Sequence, residues 1–101
     1  MKIRYKRTAL EDIRETEQYI RNVLHNGSAA KKLTKRVVQA VSLLADNPYM
    51  GTPLSSRFDV ETDLRYLLIS EQLVFYRVVD DAYVEVTRVL NGRQDYLTIL
   101  F

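Results

Sequence analysis

The 101-residue chain has no cysteine and no tryptophan, one histidine, three glycines and two prolines. Without cysteine there can be no disulfide, zinc ribbon or thiol catalysis, which fits a reducing cytoplasm. One histidine leaves a histidine metal site or a Ser-His-Asp triad little to work with. That residue, His25, stands beside Asn26-Gly27 at the end of a predicted helix, where a cationic ring complements the helix dipole. Its competing role is that of a catalytic group. No apolar run reaches the ~18–20 residues that a membrane span needs. The segment Met1 to Arg7 is charged with no apolar stretch behind it, so it does not read as a signal peptide. The expectation is a soluble cytoplasmic protein with no membrane partner, no metal and no cofactor.

Net charge is small, +2, but unevenly placed. Residues 1–56 hold ten Lys/Arg against five Asp/Glu, a surplus of five positive charges. Residues 57–101 hold five Arg against eight Asp/Glu, a surplus of three negative ones. A surface that grips nucleic acid is ordinarily basic. Here it would have to come from the N-terminal half, or from arginines that folding brings together. The length suffices for one domain with one core.

Along the chain, residues 2–6 alternate apolar and cationic, as a half-buried strand does. Thr8-Ala-Leu-Glu11 matches a capping box, and Leu10, Ile13, Ile20, Val23 and Leu24 follow at helical spacing. The first helix is predicted over about 9–25. Asn26-Gly27 is a stop signal, Ser28 the next N-cap, and Ala30, Leu33, Val37, Ala40, Val41 and Leu44 stripe a second helix over about 29–46. So short a connection predicts an antiparallel helix hairpin. Asn47-Pro48 ends it, and residues 48–62 read as a loop.

Three strand-like runs follow, 64–69, 73–79 and 82–90, with polar breaks at Ser70-Glu71-Gln72 and Asp80-Asp81. Breaks that short predict consecutive hairpins. The expected fold class is α+β: one domain over 1–101, ordered β-α-α-β-β-β, an antiparallel sheet with the helix hairpin on one face. If both hairpins turn in two residues, Leu64, Tyr66, Leu68, Leu73, Phe75, Arg77, Val84, Val86 and Arg88 face the helices. Arg65, Leu67, Gln72, Val74, Tyr76, Tyr83, Glu85 and Thr87 then face a partner. A one-residue register change exchanges such sets.

Leu73-Val-Phe-Tyr-Arg-Val-Val-Asp-Asp81 and Val84-Glu-Val-Thr-Arg-Val-Leu-Asn-Gly-Arg-Gln-Asp95 resemble the C-terminal signature of RelE/ParE toxins. Asn47-Pro48-Tyr49-Met50-Gly51 resembles that superfamily's Asn-Pro-x-x-Gly loop, so the resemblance spans nearly the whole chain. It implies the toxin of a type II toxin–antitoxin pair, bound by a cognate antitoxin. RelE-like members cleave mRNA on the ribosome, whereas ParE-like members poison DNA gyrase.

For the nuclease, the resemblance makes Arg93 a phosphate clamp and Tyr96 a proton donor or stacking platform. The plainer alternative is that Arg93 pairs at the surface and Tyr96 packs the tail. Leu73 stands where RelE-like enzymes carry an arginine, and Asn91 where many relatives carry histidine. Both departures lean toward ParE-like or otherwise non-nuclease action, on DNA gyrase or an unidentified target, with a degenerate member that only binds its antitoxin as a further alternative. Candidate contacts to target or antitoxin are Arg65, Tyr76 and Tyr83 on the sheet and Lys31, Lys32, Lys35 and Arg36 on the second helix. Strand arginines also snorkel or form ion pairs, and a cationic helix side is also simply a solvated face.

Overall fold

The computed structural model describes residues 1–101. Its elements are β1 (Lys2–Tyr5), α1 (Arg7–Asn22), α2 (Gly27–Ser42), β2 (Thr52–Pro53), β3 (Arg65–Ile69), β4 (Gln72–Val79), β5 (Tyr83–Asn91) and α3 (Tyr96–Leu100). The α+β order predicted above is present, with a two-residue strand in the loop and a short helix in the tail as additions. The sheet runs β1-β5-β4-β3-β2. It is mixed rather than wholly antiparallel, because β1 pairs parallel with β5 while the other three pairings are antiparallel.

The helix ends depart from expectation in a way the chemistry explains. Thr8 is not an N-cap: α1 begins two residues earlier than predicted, at Arg7, after an extended Lys6 that supplies no side-chain cap. The Thr8 hydroxyl donates instead to the Thr87 carbonyl at 2.9 Å. The second helix is capped by Asn26, not Ser28, with the Asn26 Oδ1 accepting from the Ala29 N–H at 3.1 Å. Inward from α1 come Ala9, Asp12 and Ile13, whereas Leu10, Val23 and Leu24 stay exposed. The α2 stripe buries Ala30, Val37 and Val41 as the periodicity requires. Glu17 fastens the hairpin by accepting from Arg21 at 2.7 Å and from Thr34 at 2.9 Å.

Side-chain placement in β3 and β4 is the reverse of the expected one. Leu67, Ile69, Val74, Tyr76 and Val78 lie with Val84, Val86 and Val89 in the core that includes Ala9, Val37, Val41 and Leu44 of the helix layer. Leu64, Tyr66, Leu73 and Phe75 lie in a second, smaller core with Leu54, Phe58, Leu90, Tyr96 and Leu97. The cause is a turn one residue longer than assumed. Val79 pairs with Tyr83, leaving Asp80, Asp81 and Ala82 in the loop. Asp80 and Asp81 both have positive φ and the Ala82 N–H bonds to Val79 O, as a type I′ turn requires. One extra residue exchanges faces. The face away from the helices is therefore not free throughout: the 54–64 loop and α3 cover its β3–β4 side.

Two side-chain arrangements hold the layers in register. In the first, the Gly51 N–H donates to the buried Tyr76 hydroxyl at 2.8 Å, while Arg65 donates to the carbonyls of Tyr49 and Gly51 at 3.0 and 2.9 Å. The Asn-Pro-x-x-Gly loop is thereby stitched to β3 and β4. Burial pushes the Tyr76 phenol above its ordinary value of 10.0, partly opposed by the Gly51 N–H. Tyr5 is raised by burial as well. In the unfolded chain these phenols ionise first, so their contribution to stability is complete below pH 10 and is lost as pH climbs beyond it. A urea midpoint that falls between about pH 9 and about pH 11, and falls less steeply in Tyr76→Phe, is the expected result. Equal slopes would contradict it.

The second arrangement closes an edge. After Tyr5, which pairs with Val86, β1 ends and the outer side of β5 would be bare. The chain continuing into α1 meets it group by group: Lys6 N–H to Val86 O at 2.9 Å, Thr8 Oγ1 to Thr87 O, and the Val89 N–H to Asp12 Oδ2 at 3.0 Å. Thr87 is an extra residue in β5, since Arg88 opposes Phe75 and Val86 opposes Tyr76. This bulge turns both Val86 and Val89 into the helix-side core.

Candidate functional site

The sequence-nominated residues fall into separate places. Arg93 follows β5 and is 84% exposed, with one long contact of 3.4 Å to Glu71. Tyr96 opens α3 and packs edge-on to Phe58 and tilted on Phe75, at ring-centre distances of 6.0 and 5.4 Å. Arg93 lines a cleft of about 490 Å³ beside the helix hairpin, and Tyr96 lines a different, largely apolar depression of about 190 Å³. The two candidate nuclease residues are not brought together around one space.

Among the nominated contact residues, Tyr76 is a correction. It is fully buried under the helices with its hydroxyl taken by Gly51, so it touches no partner. Its face was exchanged by the longer turn described above. Arg65 is half-buried and spends its guanidinium on the loop carbonyls and the Tyr49 ring, 5.1 Å away. Tyr49 in turn donates to Asp81, and that hydrogen bond is the main cause that lifts its phenol above the ordinary value. Tyr83 is half-buried on the open side of β5, with the Arg4 guanidinium 4.3 Å above its ring. Lys31, Lys32, Lys35 and Arg36 are all exposed on α2 and form no ion pair. Lys31 and Lys32 share an open depression with Arg21, Gly27 and Ser28.

Two functional features were not nominated. The cleft of about 490 Å³ lies between the C-terminal part of α1 and the β3–β4 turn, floored by Tyr19, Ile20, Leu24 and Leu33. Tyr19 and Leu24 are both more than half exposed. Gln72, only 5% exposed, lines the same cleft and its Oε1 has no hydrogen-bond partner. A buried acceptor of that kind costs about 1–3 kcal/mol until something donates to it. The only sequence signal was the run of apolar residues at helical spacing near the end of α1, Ile20 and Leu24 among them. Asp12, the other omission, forms a paired contact with Arg88, Oδ2 to Nε and Oδ1 to Nη2, both 2.8 Å. This bond, ahead of all other influences, raises the Arg88 pKa above its ordinary value.

The chain thus presents an α+β domain with a helix hairpin over one face of a mixed sheet, a cleft beside the hairpin and a cationic outer helix. The sequence matches the family described as ParE toxin of type II toxin-antitoxin system, parDE, over residues 3–96, and the chain belongs to that family. Its fold is similar to a chain of the structure described as "Chromosomal ParDE TA system from P. aeruginosa", at 21% identity and a TM-score of 0.73. The alignment covers 90% of this chain and 95% of that one. No curated protein matches the sequence. No helix is long and apolar enough to cross a membrane.

Proposed function

We propose that the chain is a growth-inhibiting toxin that acts on DNA gyrase in the cytoplasm and is neutralised by a cognate antitoxin. The observation that carries this reading over ribosome-dependent mRNA cleavage is the separation of Arg93 from Tyr96. Cleavage at a 2′-OH needs a proton acceptor, a phosphate clamp and a proton donor converging on one phosphodiester. Here the clamp is a solvent-exposed arginine and the donor is packed among aromatic rings in another depression. Binding to a large enzyme asks instead for an accessible surface, and the unpaired cations of α2 supply one.

Purified protein should inhibit supercoiling by gyrase and cause cleaved DNA to accumulate, and Arg93→Ala should retain most of that effect. Inactivity at stoichiometric excess over gyrase removes the target. Arg93-dependent cuts in mRNA on programmed ribosomes would replace it with the nuclease.

The antitoxin segment belongs in the cleft beside the hairpin, with apolar side chains on Tyr19 and Leu24 and a donor to Gln72. An amphipathic helix laid into such a groove buries its apolar face and orders as it binds. Each buried anchor contributes about 1.5–3 kcal/mol, so Leu24→Asp should weaken antitoxin binding roughly 10- to 100-fold in calorimetry. Unchanged affinity would move the antitoxin elsewhere.

A further inference from the structure

The side of the sheet away from the helices is covered over β3 and β4 but bare over β1, β5 and the far end of β4. Alternation places Ile3 and Tyr5 against the core, and therefore Lys2 and Arg4 on the bare side. Arg4 pairs across to Glu85, and Glu85 to Arg77, so these three share a row. Lys6, Arg77 and Arg88 line one open cleft there of about 360 Å³, together with the Thr8 and Thr87 side chains. With Arg88 paired to Asp12, four cations, Lys2, Arg4, Lys6 and Arg77, stand against Glu85 and Asp63. Arg77 lies 3.3 Å from Asp63, yet its Nε has no aligned hydrogen bond, so that guanidinium is only loosely held. Lys2, Arg4 and Lys6 form no ion pair.

We infer that this bare half of the sheet binds the phosphodiester backbone of double-stranded DNA. Alternate residues on a strand stand about 6.6 Å apart, a spacing commensurate with successive phosphates, so Lys2, Arg4 and Lys6 form a row rather than a point site. Arg77 extends that surface across β4. A row of cations favours a continuous polyanion over a single anion. The surface lies on the opposite side of the molecule from the antitoxin cleft and α2, so one molecule can engage DNA while the hairpin side meets protein. The choice of duplex DNA rests on the gyrase reading, since a gyrase complex holds such a segment.

The test is fluorescence anisotropy of a labelled duplex with the full chain, titrated at several salt concentrations. Binding that weakens as salt rises is expected. The variant Lys2→Gln/Arg4→Gln/Lys6→Gln should lose at least tenfold in affinity at low salt and show a shallower salt slope. Lys31→Gln/Lys32→Gln/Lys35→Gln should bind as the parent does. The single variants Arg4→Gln and Arg77→Gln, each checked for an unchanged thermal midpoint, should each lose affinity by severalfold and stand in if the triple variant misfolds. No binding by the parent, loss only in the α2 variant, or stronger binding to polyglutamate or single-stranded RNA than to the duplex would overturn the inference. Gyrase inhibition is scored separately. A parent that binds DNA without touching supercoiling sinks the target, and one that poisons gyrase with equal potency after the β1 substitutions sinks the DNA face.

Discussion

Gly51→Ala should leave a protein whose thermal midpoint is some 15–20 °C lower, a loss of about 3–4 kcal/mol for a domain of this size. The reason is space, not backbone freedom, because Gly51 does not have a positive φ. A Cβ built at this position would lie 2.5 Å from the Tyr76 hydroxyl, 2.6 Å from a carbon of its ring and 2.9 Å from the Tyr66 carbonyl oxygen. Two of those neighbours belong to a fully buried side chain and the third to a sheet backbone, so none can step aside cheaply. Overpacking of this kind costs about 1–3 kcal/mol. Pushing the loop outward also breaks the Gly51 N–H bond to Tyr76, which strands a buried hydroxyl at about 1–3 kcal/mol more. Differential scanning calorimetry decides the matter: a shift below about 5 °C would mean that the loop yields without cost. Gly27 is the internal control, since nothing lies within 4 Å of a Cβ there.

Asp12→Ala should be at least as damaging, at about 3–5 kcal/mol, which is the usual result of removing one member of a buried ion pair. Asp12 is 8% exposed and serves three donors, two from Arg88 and the Val89 N–H. Its loss leaves a guanidinium without its counter-charge and a strand amide without an acceptor at the bulge. Arg88→Met should cost less, because Asp12 keeps Val89 and the long apolar stem is partly replaced. In urea unfolding the double variant should therefore be closer to Asp12→Ala than to the sum of the two. Strict additivity would mean that the pair does not act as one unit.

Much of this architecture was legible in the sequence and the exceptions are instructive. Helix α2 was readable because its apolar stripe is unbroken and its exposed side carries four cations and no acid. The hairpin connectivity was readable because the breaks between strand runs are so short. The facing of β3 and β4 was not, because both sets of alternate residues are apolar and each lies over a core of its own. A periodicity of two cannot choose between two buried faces, and the choice fell to one additional residue in the Asp80-Asp81-Ala82 turn. Thr8-Ala-Leu-Glu11 has the pattern of a capping box, yet Thr8 is drawn to a carbonyl at Thr87, far along the chain. Asp12 stands beside Glu11 near the start of α1, where the helix dipole favours any acid. Only the fold reveals that it answers an amide from the last strand. The same limit applies to the site, where Tyr76 looked amphipathic and accessible but uses its polar end to hold Gly51.

The pairing of β1 with β5 has a consequence for how the chain comes into being. Lys2 has no strand partner until Tyr83 has been synthesised, and Asp12 none until Arg88 follows. On the ribosome the first segment must wait with its edge unsatisfied while nearly all the remainder is translated, so the sheet cannot close co-translationally from its N-terminus. Such distant pairings also slow folding, since loop-closure entropy precedes any contact that offsets it. A prematurely terminated product lacks the strand on which the first one docks and is inert on that account. The first and last strands therefore come together in a single late step, so the two-layer domain assembles as one unit rather than strand by strand from its beginning.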